Sequence, residues 1–144
     1  MYLEGAGVPK NGERAAQWFQ RAAEQGDVLA QAKLGLMYAL GLSVPANYAR
    51  GVQWLQKAAD QGDATSQYYL GTMYMSGRGV PQDEAIAVRW YTRAAEQGVV
   101  DAQFILGGIF MTRNDARRAA HWLKKAADQG HGGAAATYKM FYAK

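Results

Sequence analysis

The stretch AAEQG at residues 22–26 returns as AADQG at 58–62, as AAEQG at 94–98 and as AADQG at 126–130. The first three copies lie 36 residues apart, and the fourth follows 32 residues after the third. A fixed period of this length is typical of solenoid arrays, in which each unit is one supersecondary element that packs on its neighbours. The sequence therefore predicts a repeat array and directs the search for function to exposed surfaces.

Four further rows of residues recur with the same spacing. We interpret the tryptophans as core anchors between neighbouring helices and the Val-Pro pairs as a recurrent turn. The shortened unit lacks that turn, because its four missing positions fall between Met111 and Asp115. The rows are Trp18, Trp54, Trp90 and Trp122; Leu34-Gly35, Leu70-Gly71 and Leu106-Gly107; Tyr2, Tyr38, Tyr74, Phe110 and Tyr142; and Val8-Pro9, Val44-Pro45 and Val80-Pro81.

Each unit reads as two helices. Apolar and small residues follow a period near 3.6 over 27–40, which we call helix A, and over 47–61, which we call helix B. The glycine that ends each AAEQG or AADQG copy belongs at a helix carboxyl end, where a positive φ is often needed. The glycine at position 35 and its equivalents lie inside helix A, so we expect close approach by small residues of helix B, namely Gly51, Ala87 and Ala119.

The predicted organisation is one array with an incomplete unit at each end. It comprises a partial unit at 1–26 (the end of a helix A plus a helix B), repeats at 27–62, 63–98 and 99–130, and a terminal helix A at 131–144. Because residues 1–9 correspond to 37–45, we expect that further sequence precedes the chain. A signal peptide would then be out of view, so periplasmic, secreted and cytoplasmic locations all stay open.

Composition limits the possible functions. The chain has 144 residues, 49% of them hydrophobic, and no cysteine, which excludes disulfide and thiol chemistry. No apolar run approaches the ~18 residues of a membrane-spanning helix, so we expect no membrane span. The net charge is +4, and one dense basic patch surrounds the last helix B. We interpret it as a solvated face, with nucleic acid or anionic lipid as the alternative. The patch comprises Arg113, Arg117, Arg118, His121, Lys124 and Lys125.

Motifs for catalysis or cofactor binding are absent from the sequence. The Gly-x-Gly strings at 5–7 and 77–79 have no third glycine and follow no strand, so they are turns rather than a nucleotide loop. His121 and His131 fall on different predicted helices without a metal-ligand pattern. Asp83-Glu84 is best explained as the start of a helix B. We therefore expect a non-enzymatic protein with no cofactor, no metal and no small-molecule substrate.

The repeat resembles the Sel1-like repeat, a longer relative of the tetratricopeptide repeat. The resemblance covers nearly the whole chain and is carried by 66–98, with its Leu-Gly, Met-Tyr, Gly-x-Gly-Val-Pro, Trp and Ala-Ala-Glu-Gln-Gly elements in order. It implies an all-α, α/α superhelical solenoid that acts as a scaffold or adaptor for a protein or peptide, often in bacterial envelope, secretion or toxin-immunity settings. The alternative is a cell-wall or β-lactam-binding hydrolase-like protein, against which the missing Ser-x-x-Lys motif counts.

The resemblance also implies that the A helices line the concave face of the solenoid. Large apolar side chains recur there at positions that the repeat pattern does not fix, and aromatic and Met residues suit a groove that receives a peptide or helix. The alternative is that the solenoid itself buries this stripe. The predicted partner-binding residues are Leu36, Tyr68, Thr72, Met75, Phe104, Gly108, Met111 and Met140.

Overall fold

A computed structural model describes residues 8–143 and their side chains from residue 12 onward. These residues form eight α-helices and no strand, which confirms the all-α repeat of helix pairs. The A helices are α2, α4, α6 and α8, and the B helices are α1, α3, α5 and α7. The helices are α1 Val8–Glu24, α2 Val28–Leu40, α3 Tyr48–Asp60, α4 Ala64–Ser76, α5 Glu84–Glu96, α6 Val100–Thr112, α7 Ala116–Asp128 and α8 Gly132–Phe141.

The glycine that follows each helix B has the left-handed backbone predicted for it. The φ angles of Gly26, Gly62, Gly98 and Gly130 are 95°, 97°, 96° and 94°. A side chain at such a φ would clash with its own backbone, so glycine ends the helix at the lowest steric cost. The repeated AAEQG or AADQG stretch is therefore the carboxyl end of helix B together with its terminating glycine.

The predicted Val-Pro turn is correct in two units and wrong in the first. Residues 44–45 and 80–81 lie between helices, whereas Val8 and Pro9 are the first two residues of α1. A proline in the first helical turn loses no intrahelical hydrogen bond, because its backbone N–H would be unpaired there anyway. The predicted end of a helix A at the amino terminus lies outside the described residues.

The A helices begin in nearly the same way, with one exception. Asp27, Asp63 and His131 each accept a hydrogen bond from the backbone N–H three residues later, at 2.9, 2.8 and 2.9 Å. Val99 holds the equivalent position with the same extended backbone but makes no side-chain cap. Helix α6 is thus the A helix that begins with one fewer satisfied N–H group than its equivalents.

The chain divides into two compact units, and the division falls within α5, between Ala87 and Val88. The first unit holds a core cluster of α1 and α2 residues, including Ala23, Leu34 and Met37, with Trp54 of α3 packed against it. In the second unit Leu123 of α7 packs with alanines of α7 and α8. Leu34 and Leu123 are fully buried and lie at the centre of these two clusters, and the other leucines of the recurring row, Leu70 and Leu106, are fully buried as well.

Helices A and B approach closely at the in-helix glycines, but the predicted contact partner is wrong. A Cβ on Gly35 would lie 2.8 Å from Cγ of Leu55, and a Cβ on Gly51 would lie 2.9 Å from the backbone nitrogen of Ala39. The glycines therefore do not face one another. Each one instead admits a residue of the opposing helix, and at Gly35 that residue is a fully buried leucine.

The tryptophan row is not a uniform set of core anchors. Trp90 and Trp122 are buried and Trp54 is half-buried, but Trp18 is 63% exposed, so its predicted core position is wrong. Trp54 packs against the cluster formed by α1, the helix B of the preceding repeat, and α2, the helix A of its own repeat. The described residues contain no earlier helix pair to offer Trp18 the same surface.

A row of buried glutamines connects each helix A to the helix B of the preceding repeat, and the sequence interpretation missed it. The Nε2 atoms of Gln31, Gln67 and Gln103 donate to the carbonyls of Ala23, Ala59 and Ala95 at 3.1, 3.2 and 3.0 Å. These carbonyls belong to the last turn of the preceding helix B, where carbonyls lack a partner within the helix. The only signal in the sequence was the spacing of these glutamines, which is also 36 residues.

Candidate functional site

The A-helix surface of the first unit contains four of the predicted partner-binding residues. Leu36 lies on α2, while Tyr68, Thr72 and Met75 follow one another along α4. All four side chains are half-buried. The Tyr68 ring meets the edge of Tyr69 at 5.2 Å between centroids, and Thr72 Oγ1 donates to the Tyr68 carbonyl at 3.2 Å. This surface is apolar, partly packed and partly open to a partner.

The A-helix surface of the second unit contains the other four. Phe104 and Met111 of α6 are half-buried against the α7–α8 core cluster, and Phe104 stacks on the His131 imidazole at 4.3 Å between centroids. Met140 of α8 is 74% exposed. A Cβ on Gly108 would meet no atom within 4 Å. Gly108 and Met140 are therefore the accessible members, and Phe104 also has a structural role.

The basic patch around α7 is exposed but partly neutralised by acids of the same segment. Arg118 lies 3.4 Å from the Asp115 carboxylate, and Lys124 lies 3.2 Å from Asp128. Asp115 also caps α7 by accepting from the backbone N–H of Arg118 at 3.1 Å. His121 meets Trp122 edge-on at 4.7 Å between centroids. Two of the cations are thus engaged locally, as expected for a solvated helix face.

A cleft between two B helices of the first unit, which we call the α1/α3 cleft, was not predicted. It encloses about 710 Å³, within the range of ligand-sized pockets. A smaller recess of about 350 Å³ shares Gln20 and Arg50 with the cleft and is also lined by Tyr38. Sequence reasoning missed the cleft because its residues come from two helices of different repeats and form no motif. The cleft is lined by Gln20, Arg50, Val52, Gln53, Trp54, Gln56 and Lys57.

The part of the chain that the structure describes contains neither a cluster of metal ligands nor a helix that could span a membrane. Residues 8–143 contain no cluster of three His, Cys, Asp or Glu side chains arranged to hold a metal ion. Among the same residues, no helix combines the length and the apolar character needed to cross a bilayer. Asp83, part of the acidic pair noted in the sequence, accepts from the backbone N–H of Ile86 at 3.0 Å and so caps α5.

Comparison with known proteins gives a consistent family match. The family model described as the Sel1 repeat matches residues 1–27, 28–63, 64–99 and 101–131, which is most of the chain. Among curated proteins, none matches the chain in sequence.

Solved structures with the same fold include three bacterial proteins. A protective antigen present in uropathogenic Escherichia coli strains, which displays an SLR fold, is 36% identical with a TM-score of 0.84 over 96% of this chain. A Sel1 repeat protein from Oxalobacter formigenes is 33% identical with a TM-score of 0.79 over 89%. The chain spans 33% and 54% of the lengths of these two proteins. Helicobacter pylori cysteine rich protein B shares the fold, with 22% identity and a TM-score of 0.70 over 93% of this chain and 99% of its own.

Proposed function

The chain belongs to the Sel1 repeat family, and from this membership we propose that it is a non-enzymatic scaffold that binds a protein or peptide through its A helices. Sel1-repeat proteins are generally protein-interaction scaffolds. The proposed contacts lie on the two A-helix surfaces described above, one in each compact unit. We further propose a bacterial envelope, secretion or toxin-immunity setting, which is supported by the likeness to an Escherichia coli protein described as a protective antigen.

One observation carries the assignment to the A helices. Their large apolar side chains are only partly covered: Leu36, Tyr68, Met75 and Met111 are half-buried, and Met140 is 74% exposed. Partly covered aromatic and Met side chains offer contact area that a partner can complete, and Met adapts its shape to the partner. Their partial burial also lowers the entropic cost of ordering them when a partner binds.

The sharpest test places a charge at Gly108, because this position is exposed and has open space around it. Gly108→Glu introduces a carboxylate among the partner-binding residues, and Gly108→Ala is the matched control without the charge. Each variant would be used to capture partners from lysate and envelope fractions of the source cell, followed by mass spectrometry. We expect a partner retained by the wild type and by Gly108→Ala to be lost with Gly108→Glu.

Charging Phe104 would be a weaker test, because its stacking on His131 makes loss of folding an equally good explanation. The same design applies to the first unit with Thr72→Glu and Thr72→Ala. If both glutamate variants retain every partner of the wild type, the A-helix assignment is wrong. Circular dichroism of all four variants serves to show that helix content is unchanged.

A further inference from the structure

We propose that the α1/α3 cleft is a second interaction site that takes an acidic, extended peptide segment. This site goes beyond the proposed A-helix function, because none of the residues that line it belongs to the A-helix surfaces. It lies on the B helices of the first unit and combines two cations, an amide-rich wall and a half-buried indole, with a third cation in the adjoining recess.

The cations of the cleft are held by aromatic rings rather than by acids. Arg50 donates to the Tyr38 hydroxyl at 3.1 Å, and its guanidinium lies 5.5 Å from the centre of that ring. Lys57 Nζ lies 5.1 Å from the centre of the Trp54 ring. Arg21, in the adjoining recess, lies 5.7 Å from the Trp18 ring. Among residues 8–143, no carboxylate forms an ion pair with these three cations.

This arrangement differs from the basic patch on α7 in a way that matters for binding. There Arg118 also lies over an aromatic ring, that of Phe110, but Arg118 and Lys124 each pair with an acid of the same segment as well. An aromatic ring holds a cation in place and leaves its remaining N–H donors for a ligand. A carboxylate that entered the cleft would therefore meet oriented donors without first displacing an internal acid.

The other groups of the cleft favour a peptide over a nucleic acid. Three glutamines line it, and amides both donate and accept, which matches the alternating N–H and C=O groups of a peptide backbone. Gln20 and Gln56 donate to Glu24 and Asp60 at 2.7 and 2.9 Å, which leaves the side-chain oxygen of each glutamine as an acceptor. A phosphate backbone offers only acceptors, and base stacking needs a free aromatic face, whereas Lys57 covers Trp54.

The experiment measures fluorescence anisotropy of labelled probes bound to the whole chain. The probes are fluorescein-labelled octapeptides of alternating Glu-Gly, Lys-Gly and Ser-Gly, and a labelled single-stranded octanucleotide. We expect the Glu-Gly peptide to bind more tightly than the others and to weaken as salt rises. Arg50→Gln/Lys57→Gln should weaken its binding about tenfold, since each exposed ionic contact contributes roughly threefold.

The matched control is Lys124→Gln/Lys125→Gln, which removes the same number of charges from α7. The proposal is overturned if both double variants lose affinity equally, if the octanucleotide binds more tightly than the Glu-Gly peptide, or if the Glu-Gly peptide does not bind. Because Arg50→Gln also removes the hydrogen bond to Tyr38, the exposed Gln53→Glu provides a second variant. This variant adds a negative charge, which repels the negatively charged Glu-Gly peptide. It should weaken binding of that peptide while helix content is unchanged.

Discussion

Gly107 and Gly108 are neighbours in α6, yet only the replacement of Gly108 with alanine should stabilise the protein. A Cβ on Gly107 would lie 2.6 Å from both Cγ and Cδ2 of Leu123, whereas a Cβ on Gly108 would meet no atom within 4 Å. Leu123 is fully buried and Gly108 is exposed. The two substitutions make the same chemical change in the same helix, so their difference isolates the packing between α6 and α7.

The magnitudes follow from two terms. Either alanine favours the helix by about 1 kcal/mol relative to glycine. At Gly107 the added methyl group must displace a buried leucine, and overpacking of this kind costs roughly 1–3 kcal/mol. Gly108→Ala should therefore raise the free energy of unfolding by about 1 kcal/mol. The free energy of unfolding of Gly107→Ala should be about 1–3 kcal/mol lower than that of Gly108→Ala.

The assay is urea unfolding followed by circular dichroism, with thermal unfolding as a second measure. For a chain of this size 1 kcal/mol corresponds to about 3 °C in Tm. Gly35→Ala is the matched control in the first unit, because its Cβ would lie 2.8 Å from Leu55 Cγ, and it should behave like Gly107→Ala. Equal stabilisation by both α6 variants would refute the close approach of α7 to Gly107. Equal destabilisation would refute the open space at Gly108.

Two further predictions concern the caps and the glutamine row. Val99→Asp should stabilise the protein by about 1 kcal/mol, because it supplies the side-chain cap that α6 lacks, and Val99→Ala is the control that removes the same valine without a cap. A Tm of Val99→Asp no higher than that of Val99→Ala would contradict this account. Gln31→Leu should destabilise by about 1 kcal/mol, because it removes the amide that donates to the Ala23 carbonyl alongside Gly26 N–H and that accepts from Gln61 Nε2 at 2.8 Å. A urea midpoint that does not change would mean that water replaces the amide.

The helices and their ends could be predicted from the sequence because repeat spacing reports local backbone geometry directly. The glycine that follows each helix B needs a positive φ in every unit, so it recurs at a fixed interval. The partners of the in-helix glycines could not be predicted this way. Spacing shows that Gly35 and its equivalents share an environment, but the same pattern fits a neighbouring glycine or the leucine that the structure places there.

The buried glutamines show a second limit of reasoning from composition. A glutamine usually belongs to the surface, and Gln31, Gln67 and Gln103 became understandable only when the carbonyls they satisfy were visible. The A-helix binding surface stays a prediction for a similar reason. A large apolar side chain on a repeat helix can serve packing against the next repeat or contact with a partner. Phe104 serves packing at least in part, because its ring stacks on His131.

Differences between units are therefore more informative about binding than their similarities. The terminal glycine of helix B is the same in every unit because its positive φ requires it, so its recurrence reports the fold rather than a partner. The position of Arg50 is arginine in three of the four units, at 14, 50 and 118, and is occupied by Ile86 in the other. The fold thus accepts an uncharged residue there and does not require the cation. Arg118 lies over Phe110 as Arg50 lies over Tyr38, but Arg118 also pairs with Asp115, whereas among residues 8–143 no carboxylate pairs with Arg50. The lack of an acidic partner, rather than the arginine itself, distinguishes the α1/α3 cleft and suits it to a ligand of opposite charge.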